Sequence, residues 1–594
     1  MTYRAPVKDM LFTLEHVARL DEIQGMAAFA HADAELVEGL LREAGRFYAE
    51  VVAPTNVDGD TQGSVLRDGE VVTPDSFKAA YDAYVQSGWG ALQFPERFGG
   101  GGFPTAVALA AKEMLTSANM AFSLNPLLTT GAVVDLLAHG DDHLQQTFMP
   151  KMISGEWAGT MNLSEPQAGS DVGALTTKAV PNDDGTYSIT GTKIWITWGE
   201  HDLTENICHL VLARLPDAPP GTKGISLFLV PKFLVRDDGS LGERNGVQVV
   251  SIEEKLGIHA SPTCVMEYDR AVGYIVGQPN EGMRQMFTMM NDARLGVGLQ
   301  GLAIAERAYQ DAVAYAWERR QGKAPGDEDL EAGQSRIVAH PDVRRQLLTM
   351  RSQIEAMRAL TYRNAAALDF AHHADDEARA ERERKLADLL TPLSKAWCTD
   401  LGVELTSIAI QIHGGMGYVE ETGVARHFRD ARIAPIYEGT NGIQAMDLVG
   451  RKLPMDGGAF VKGLLAEVRE LAGTLDDDAY GQLGTQLGRA LDAVEEAIEW
   501  LVTNRTDFAM SFGGATPFLR MMAVTLGGWL LAIQAQAAKA AIDAGGDDPF
   551  LSDKLATVRF YAANVLPTVG GLLDSVTAGS ADLFTIDSQR LQSA

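Results

Sequence analysis

Residues 159–173 read Gly-Thr-Met-Asn-Leu-Ser-Glu-Pro-Gln-Ala-Gly-Ser-Asp-Val-Gly, and the character of the sequence changes on either side of them. From about residue 33 to 155, apolar residues recur at helical spacing. From about 156 to 276, short runs rich in β-branched and aromatic residues alternate with turn signals, which predicts a small β domain. Residues 159–173 lie at the boundary between the helical pattern and the β pattern. Their hydroxyls, backbone N–H groups and Gly-Ser turn suit the polar parts of a cofactor or a phosphate, although alone they are only a loop.

Helical patterns return after about residue 280 and continue to the end of the chain. Long helical runs are predicted over 295–320, 342–374 and 378–412, with a polar insert at 321–334. A Pro-Met-Asp-Gly-Gly segment at 454–458 is typical of a linker, and a further helical unit follows it. The pattern predicts a multidomain α+β protein whose parts are an N-terminal helical domain, a central β domain, a helical bundle and a helical C-terminal extension, spanning 1–155, 156–278, 279–452 and 459–594.

Composition bounds the class of protein. The chain has 594 residues, and at about 150 residues per domain this length allows about four domain-sized units. Hydrophobic residues make up 46% and charged residues 22%, as in globular proteins. Its 50 Lys and Arg against 79 Asp and Glu give a net charge of −29, which argues against a nucleic-acid partner and a polybasic membrane-surface protein. An anionic substrate is not excluded, because local basic residues decide its binding.

Cysteine usage and the N-terminus indicate the compartment. The three cysteines, Cys208, Cys264 and Cys398, are widely separated and form no CxxC pair, which argues against a disulfide framework and a zinc ribbon. The N-terminus carries Asp9 and Glu15 before any long apolar run and does not read as a signal peptide. No stretch of about 20 apolar residues without charge is apparent, so no membrane span is expected and a cytoplasmic protein is predicted.

Two motifs that suggest a dinucleotide site and a metal site are better explained by helix packing and by a helix end. Gly296-Val-Gly-Leu-Gln-Gly301 fits GxGxxG, but no strand precedes it and the glycines fall inside a predicted helix, which favours close helix packing over dinucleotide binding. His372 and His373 precede an acidic run, yet adjacent histidines on a helix diverge, which favours a solvated helix end. No metal site is predicted.

Two further segments carry groups suited to chemistry. In Gly191-Thr-Lys-Ile-Trp-Ile-Thr-Trp-Gly199, strand alternation places Trp195 and Thr197 on one face, where they suit a planar heterocycle; a core tryptophan is the alternative. In residues 432–444, Glu438 stands among apolar neighbours that can raise the pKa of a carboxylate towards that of a working base. Alone, a helix-capping glutamate explains Glu438 equally well.

Taken together and in this order, the three segments resemble the acyl-CoA dehydrogenase flavoprotein family over about residues 35–450. Leu163-Ser-Glu-Pro with Gly169-Ser-Asp resembles one family signature, and Gln411-Ile-His-Gly-Gly-Met-Gly followed by Ile436-Tyr-Glu-Gly-Thr resembles the other. The resemblance implies FAD bound at the domain junction and at a subunit interface, an acyl-CoA substrate, an electron-transfer flavoprotein as electron acceptor, and a homodimer.

The resemblance also implies roles for individual residues. Glu438 would be the catalytic base that removes the α-proton of the acyl thioester while a β-hydride leaves to flavin N5. FAD would be bound by Met161, Leu163, Ser164, Trp195, Ile196, Thr197, Arg319, Gln411, Gly415 and Thr440. The acyl-CoA would be bound by Ser170, Arg294, Tyr437 and Gly439.

The sequence departs from the family pattern at two points. Family members often continue the Glu-Arg motif at 318–319 with Thr-Phe-Gly, whereas Gln-Gly-Lys-Ala-Pro follows Arg320 here. Some branches place the base on an earlier helix. The matching segment here is Asn291-Asp-Ala-Arg294, in which Asp292 is the only acidic residue. Glu438 is retained as the base because Tyr437-Glu-Gly-Thr440 matches the base motif in full.

The long form of the chain resembles a bacterial branch of the family. This implies 3-methylmercaptopropionyl-CoA as substrate, methylthioacryloyl-CoA as product and a place in dimethylsulfoniopropionate catabolism. The alternatives are a straight short- or medium-chain acyl-CoA, an acyl-CoA oxidase and, least favoured because Glu438, Trp195 and Thr197 are all present, a non-catalytic acyl-CoA-binding scaffold.

Overall fold

The computed structural model describes residues 3–592 and confirms the predicted α+β class. Helices before the β domain begin at good capping residues: the side chains of Asp33, Asn119 and Asp141 each accept a hydrogen bond from the first turn that follows. These helices, with one small hairpin among them, are α1 (Val7–His16), α2 (Leu20–Gln24), α3 (Ala34–Phe47), α4 (Thr55–Gln62), β1 (Val65–Arg67), β2 (Glu70–Val72), α5 (Asp75–Gln86), α6 (Thr105–Ala118), α7 (Met120–His139) and α8 (Asp142–Ser154).

The central β domain contains a seven-stranded sheet whose pairings close a ring, and a separate hairpin formed by its sixth and seventh strands along the chain from Trp157. Its strands are β3 (Trp157–Asn162), β4 (Lys178–Pro181), β5 (Tyr187–Thr197), β6 (Asn206–Arg214), β7 (Ile225–Pro231), β8 (Phe233–Val235), β9 (Leu241–Arg244), β10 (Val247–Ile252) and β11 (Thr263–Val276). The order β10-β11-β5-β4-β6-β3 is joined by β7, which pairs with both β6 and β11. The segment from Gly191 is the second half of one longer strand, β5, because the ladder of β5 with β11 runs from Tyr187 to Thr197.

The bundle after the β domain consists of α9 (Gly282–Glu318), α10 (Pro341–His373), α11 (Glu377–His413), α12 (Val424–Ala431) and α13 (Asn441–Asp447). Helix α9 begins well before the predicted Leu295, because the Met-rich residues that precede it bury Met286 and Met289 against the N-terminal helices and the sheet. His373 is the last residue of α10, and its ring packs edge-on against Phe29, in agreement with a helix end.

The glycines of the GxGxxG pattern lie inside α9 and mark close helix contacts, which confirms the packing interpretation. A Cβ on Gly298 would stand 2.6 Å from the carbonyl oxygen of Ser394 on α11, and one on Gly301 would stand 2.1 Å from that of Cys398. These contacts pair α9 with α11 in a parallel direction, with the ring of Tyr315 stacked on that of His413 further along.

The C-terminal extension continues directly from the bundle. It comprises α14 (Ala459–Gly473), α15 (Asp477–Tyr480), α16 (Leu483–Thr503), α17 (Phe508–Gly513), α18 (Ala515–Asp543), α19 (Pro549–Asn564), α20 (Leu573–Thr577) and α21 (Ser588–Leu591). The predicted linker is a tight turn, because Asp456, Gly457 and Gly458 take left-handed φ values of 51°, 65° and 87° and α14 starts at once. One hydrophobic core runs from the N-terminal helices through the bundle into the extension.

Two helices of the described chain, α7 and α18, are long and apolar enough to cross a membrane by length and composition. The expectation of no membrane span rests on charged residues in these runs, such as Asp135 in α7 and Arg520 and Lys539 in α18. Within the protein, 78% and 89% of their most apolar windows are buried, as in core helices, so they are weak evidence for a span.

Candidate active site

The loop between α12 and α13 presents Glu438 in an uncommon backbone conformation. Glu438 and Gly439 take left-handed φ values of 56° and 81° in succession. The buried side chain of Gln444 fixes this kink, since its Nε2 donates to the carbonyl oxygens of Glu438 at 3.4 Å and Gly439 at 3.3 Å. The helix cap is Thr440, whose Oγ1 accepts from the N–H of Ile443 at 3.3 Å. The capping interpretation of Glu438 is therefore wrong, and its carboxylate is free for another purpose.

The environment of the Glu438 carboxylate favours a base. The side chain is partly buried and forms no hydrogen bond with the described residues 3–592. Burial raises the pKa of Glu438 to about 7, although the positive charges of Arg294 and Lys395 oppose the rise. A carboxylate with a pKa near neutrality can accept a proton and later release it.

Two buried cations approach this carboxylate from the two long helices. Arg294 on α9 is 7% exposed; its Nη1 donates to Asn291 Oδ1 at 3.3 Å, while its buried Nε has no partner within the described chain. Lys395 on α11 is fully buried, and its Nζ donates to Asn441 Oδ1 at 2.8 Å. The close packing of α9 on α11 thus sets two positive charges beside one carboxylate.

Tyr437, the neighbour of Glu438, is held by α9. Its hydroxyl donates to Oε1 of Gln300, whose side chain is 1% exposed. Burial raises the pKa of Tyr437 well above its usual range, so it stays a neutral hydrogen-bonding group. The base loop is therefore anchored on both sides of Glu438, by Gln300 and by Gln444.

The β domain supplies a wall with an exposed indole. Trp195 lies near the end of β5 with a φ of 63° and is 59% exposed, so the core alternative for it is wrong. Trp198, which is fully buried, is the core tryptophan of this segment. Thr197 pairs with Thr263 of β11, whereas the side chain of Ile196 is only 2% exposed and packs in the sheet core, so Ile196 can offer only its backbone to a ligand.

The loop after β3 is fixed to β5 by a buried ion pair that sequence reasoning missed. Met161, 9% exposed, is the last residue but one of β3, and Leu163 and Ser164, both partly buried, follow the strand. The Nζ of Lys193 donates to the carbonyl oxygen of Leu163 and to Glu165 Oε1, both at 2.9 Å, and Lys193 and Glu165 are 0% and 2% exposed. Strand alternation could not reveal this pair, because it puts Lys193 and Trp195 on the same face; the register shift of the β5–β11 ladder between Lys193 and Ile196 and the left-handed φ of Trp195 separate them.

Three proposed contacts lie far from Glu438 along the helices. Arg319 follows Glu318, the last residue of α9; Gln411 lies in the last turn of α11, and Gly415 lies two residues beyond that helix; all three are exposed. At 1.5 Å per residue, Arg319 lies about 37 Å along α9 from Arg294. Ser170 is also exposed, in the loop after β3. Within one chain, Arg319 and Glu438 therefore lie too far apart to contact the same small ligand.

Several residues that build the site carried no motif signal. Lys395, Asn441, Gln444 and Gln300 are polar residues inside otherwise apolar helical patterns, and their roles depend on contacts between helices. Within residues 3–592, no group of three or more His, Cys, Asp or Glu side chains is placed to hold a metal ion.

Family models match nearly the whole chain. The acyl-CoA dehydrogenase N-terminal domain matches residues 37–156, the middle domain 160–271 and the C-terminal domain 280–453. A model described as acetyl-CoA dehydrogenase C-terminal like matches 464–587. The matches thus include the extension.

Similar proteins cover the same length. The chain is 47% identical to the 3-methylmercaptopropionyl-CoA dehydrogenase of Ruegeria pomeroyi, over 98% of this chain and 100% of that protein. It is 37% identical to a butyryl-CoA dehydrogenase of Syntrophomonas wolfei, over 91% and 90%. A solved structure from Bacillus anthracis, an acyl-CoA dehydrogenase complexed with FAD, shares the fold with a TM-score of 0.73 and 18% identity over 94% of this chain and 90% of that one.

Proposed function

Because this chain belongs to the acyl-CoA dehydrogenase family, an FAD-dependent oxidoreductase family, we propose that it oxidises 3-methylmercaptopropionyl-CoA to methylthioacryloyl-CoA with Glu438 as the base. The observation that carries the proposal is the Glu438 carboxylate: it is presented by a fixed left-handed kink, has no hydrogen-bond donor within the described chain, and has its pKa raised to about 7 by burial. Identity of 47% over 98% of the chain supports the choice of substrate.

The residues of this chain fit FAD. The indole of Trp195, near the end of β5, is 59% exposed, so little of its apolar area is buried on folding, and its flat face matches an isoalloxazine ring. Met161, Leu163, Ser164, Trp195, Thr197 and the backbone of Ile196 would hold the flavin, with Thr440 near the base loop. Arg319, Gln411 and Gly415, at the distant end of the bundle, would hold the FAD of a second subunit.

The chemistry divides between the cofactor and the chain. Bound FAD supplies the acceptor for the β-hydride. Glu438 would take the α-proton at its carboxylate, and Arg294 and Tyr437 would bind the acyl-CoA next to it, with the Gly439 peptide following the base and Ser170 reaching the CoA portion. Fixed positions reduce the reorganisation needed when charge develops at the α-carbon.

The thioether has a chemical reason to be a good substrate. Sulfur bonded to the β-carbon donates electron density as hydride leaves that carbon, whereas a methylene in its place cannot. The two groups are close in size, so a pocket of fixed shape admits both. We therefore expect the chain to accept valeryl-CoA, in which CH2 replaces sulfur, at a lower rate.

The assembly and the electron acceptor are part of the proposal. The acceptor is an electron-transfer flavoprotein, the enzyme is a cytoplasmic homodimer, and it acts in dimethylsulfoniopropionate catabolism. The extension packs on α10, α11 and α1 of its own chain, so those helix faces are covered within one subunit.

The base is tested by Glu438→Gln. The variant should keep the yellow flavin and bind acyl-CoA, because Gln has the same size, but flavin bleaching by substrate under anaerobic conditions should fall at least about 10³-fold because the base is lost. Retained bleaching would show that another group removes the proton.

The substrate is tested by an anaerobic panel of 3-methylmercaptopropionyl-CoA, valeryl-CoA and butyryl-CoA, scored by the rate of flavin bleaching. We expect the thioether to react fastest at saturation. A faster valeryl-CoA would instead indicate a straight-chain dehydrogenase. Rapid reoxidation by air with formation of peroxide would indicate an oxidase, and a purified protein that binds no FAD would indicate a scaffold.

A further inference from the structure

Lys395 is a fully buried lysine in the middle of α11, at the contact with α9 and α13. An ammonium has three N–H donors, yet one acceptor, Asn441 Oδ1 at 2.8 Å, is the one hydrogen-bond partner that the described chain gives it. A buried cation with unfilled donors is costly unless an opposite charge compensates it. Nothing in helix packing requires a charge here, since neighbours such as Leu393 and Ala396 are apolar.

The compensating charge is the base itself. Burial lowers the pKa of Lys395 to about 7, while the carboxylates of Glu438 and Asp400 raise it and Arg294 lowers it further, so Lys395 and Glu438 titrate as a coupled pair near neutrality. Reciprocally, Lys395 is one of two cations that lower the pKa of Glu438 against the effect of burial. The interaction is thus mutual, and each group favours the charged form of the other.

Asn441 fixes the ammonium relative to the base loop. Its Nδ2 donates to Asp400 Oδ1 at 2.7 Å, to Thr399 Oγ1 at 3.0 Å and to the carbonyl oxygen of Ala396 at 3.1 Å. These bonds orient the amide so that Oδ1 points at Lys395. Asn441 is also three residues after Glu438, so the same turn positions the carboxylate and the group that holds its cation.

We propose that Lys395 is a positioning residue for the catalytic base: its ammonium, held by Asn441 in the turn that follows Glu438, keeps the Glu438 carboxylate ionised although no donor hydrogen-bonds to it. This inference rests on the proposed function, because it takes Glu438 as the base. Lys395 need not touch the substrate; it acts through Glu438.

Other charges around Lys395 are already accounted for. On α9, burial lowers the pKa of Arg294. The carboxylates of Asp447 and Glu438 raise it, and the positive charge of Arg451 lowers it. On the far side, Asp400 lines a cavity of about 210 Å³ between α11, α13 and α18 together with Arg520, which pairs with Glu404 at 2.7 Å. Within the described chain, removing Lys395 therefore leaves Arg294 as the cation that lowers the pKa of Glu438.

The test follows α-proton removal without oxidation. Methylthioacetyl-CoA carries sulfur in place of the β-carbon and has no β-hydrogen, so the FAD-loaded enzyme in D2O should exchange its α-protons without bleaching the flavin, and NMR follows the loss of their signal against pD. For Lys395→Met we expect the midpoint of the profile to rise by about one unit and exchange near neutrality to fall about tenfold. Lys395→Arg should restore the wild-type midpoint.

Controls separate this effect from misfolding. Lys385→Met removes a lysine from the same helix that pairs with Asp456 at 2.6 Å on the surface, and it should leave the midpoint unchanged. If Lys395→Met does not fold, Lys395→Gln, which can still donate to Asn441, replaces it with the same expected shift.

The outcomes distinguish the two hypotheses. Exchange that persists in Glu438→Gln overturns the base and the inference together. Exchange lost in Glu438→Gln, with an unchanged midpoint in Lys395→Met, overturns only the role of Lys395. A shift in Lys395→Met that Lys395→Arg does not reverse would assign the effect to packing and also overturn it.

Discussion

At the scale of the residue, Glu438 combines a strained backbone with a desolvated side chain. A left-handed φ at a residue other than glycine costs about 1–3 kcal/mol, and it persists only where neighbours hold it. Here Gln444 binds the carbonyl oxygens of the kink and Tyr437 is tied to Gln300. With this backbone conformation at Glu438, Thr440 caps α13, and the Glu438 carboxylate takes no part in the cap.

The pH dependence follows from the raised pKa of Glu438, which lies at about 7. The base acts only when ionised, so the rate of anaerobic flavin bleaching should rise about tenfold per pH unit below pH 7 and level off above it. Stability moves oppositely, because a pKa raised in the folded state favours folding at low pH and that contribution is lost as pH rises through 7. Relative to Glu438→Gln, the free energy of unfolding of the wild type in urea should therefore fall as pH rises from about 4.5 to about 7 and stay level above that range; equal pH dependence of the two proteins would contradict the assignment.

Lys193 and Glu165 form a buried ion pair that we expect to stabilise the β domain. Burial alone would raise the pKa of Glu165, but Lys193 and Thr177 lower it to about 2, so its contribution to stability is present above its unfolded pKa and is lost as pH falls towards 2. Lys193→Met leaves that carboxylate buried and unpaired, and we expect a loss of about 3–5 kcal/mol in the free energy of unfolding together with weaker FAD binding. Urea unfolding and flavin fluorescence measure the two effects.

The matched control for this pair is Lys178→Met. Lys178 lies exposed on β4 of the same domain, and its removal should change the free energy of unfolding by less than about 0.5 kcal/mol. An equal loss in both variants would show that the buried pair has no special role in the domain.

At the scale of the element, the parallel contact of α9 with α11 brings Arg294 and Lys395 to one carboxylate. Glycines permit this approach, because Gly301 lies against the backbone of Cys398 and Gly402 lies against Gly301 itself. Side chains on these faces would force the helices apart and separate the charges. The packing glycines thus serve the site, although none of them touches it.

Gly301→Ala tests this dependence. The new Cβ would lie 2.1 Å from the carbonyl oxygen of Cys398, a backbone atom that cannot rotate away. We expect a loss of about 1–3 kcal/mol in the free energy of unfolding and slower flavin bleaching. Gly488→Ala, on α16 with nothing within 4 Å of the added Cβ, should instead be neutral or stabilise by up to about 1 kcal/mol. Wild-type activity in Gly301→Ala would contradict the coupling of helix spacing to the base.

At the scale of the whole molecule, a buried charge network joins the C-terminal extension to the N-terminal helix α1 and to helix α10 of the bundle. Lys554 on α19 is fully buried; it pairs with Asp9 on α1, with Glu355 on α10 at 3.0 Å and with Gln534 Oε1 on α18 at 2.7 Å. Arg358 continues the network to Glu113 at 2.6 Å and Glu306 at 2.9 Å. The extension is therefore part of one folding unit with the bundle.

Lys554→Met should destabilise the whole chain. It leaves Asp9 and Glu355 without this cation, and we expect a loss of about 3–5 kcal/mol in the free energy of unfolding, measured in urea. Lys539→Met, which breaks an exposed pair with Asp543 on α18, should cost less than about 1 kcal/mol. If the two variants unfold alike, the network does not join the extension to the core.

The sequence by itself determined the order of helical and β parts, the interpretation of the GxGxxG pattern and the identity of Glu438 as the candidate base. These follow from local periodicity and from short motifs, which a linear chain carries in full. Only the tertiary structure decided that Thr440, and not Glu438, caps α13, that Trp195 is exposed, and that Lys395 and Gln444 belong to the site. The reason is physical: burial and charge pairing arise between elements far apart in sequence, and the pattern of one element does not contain its neighbour.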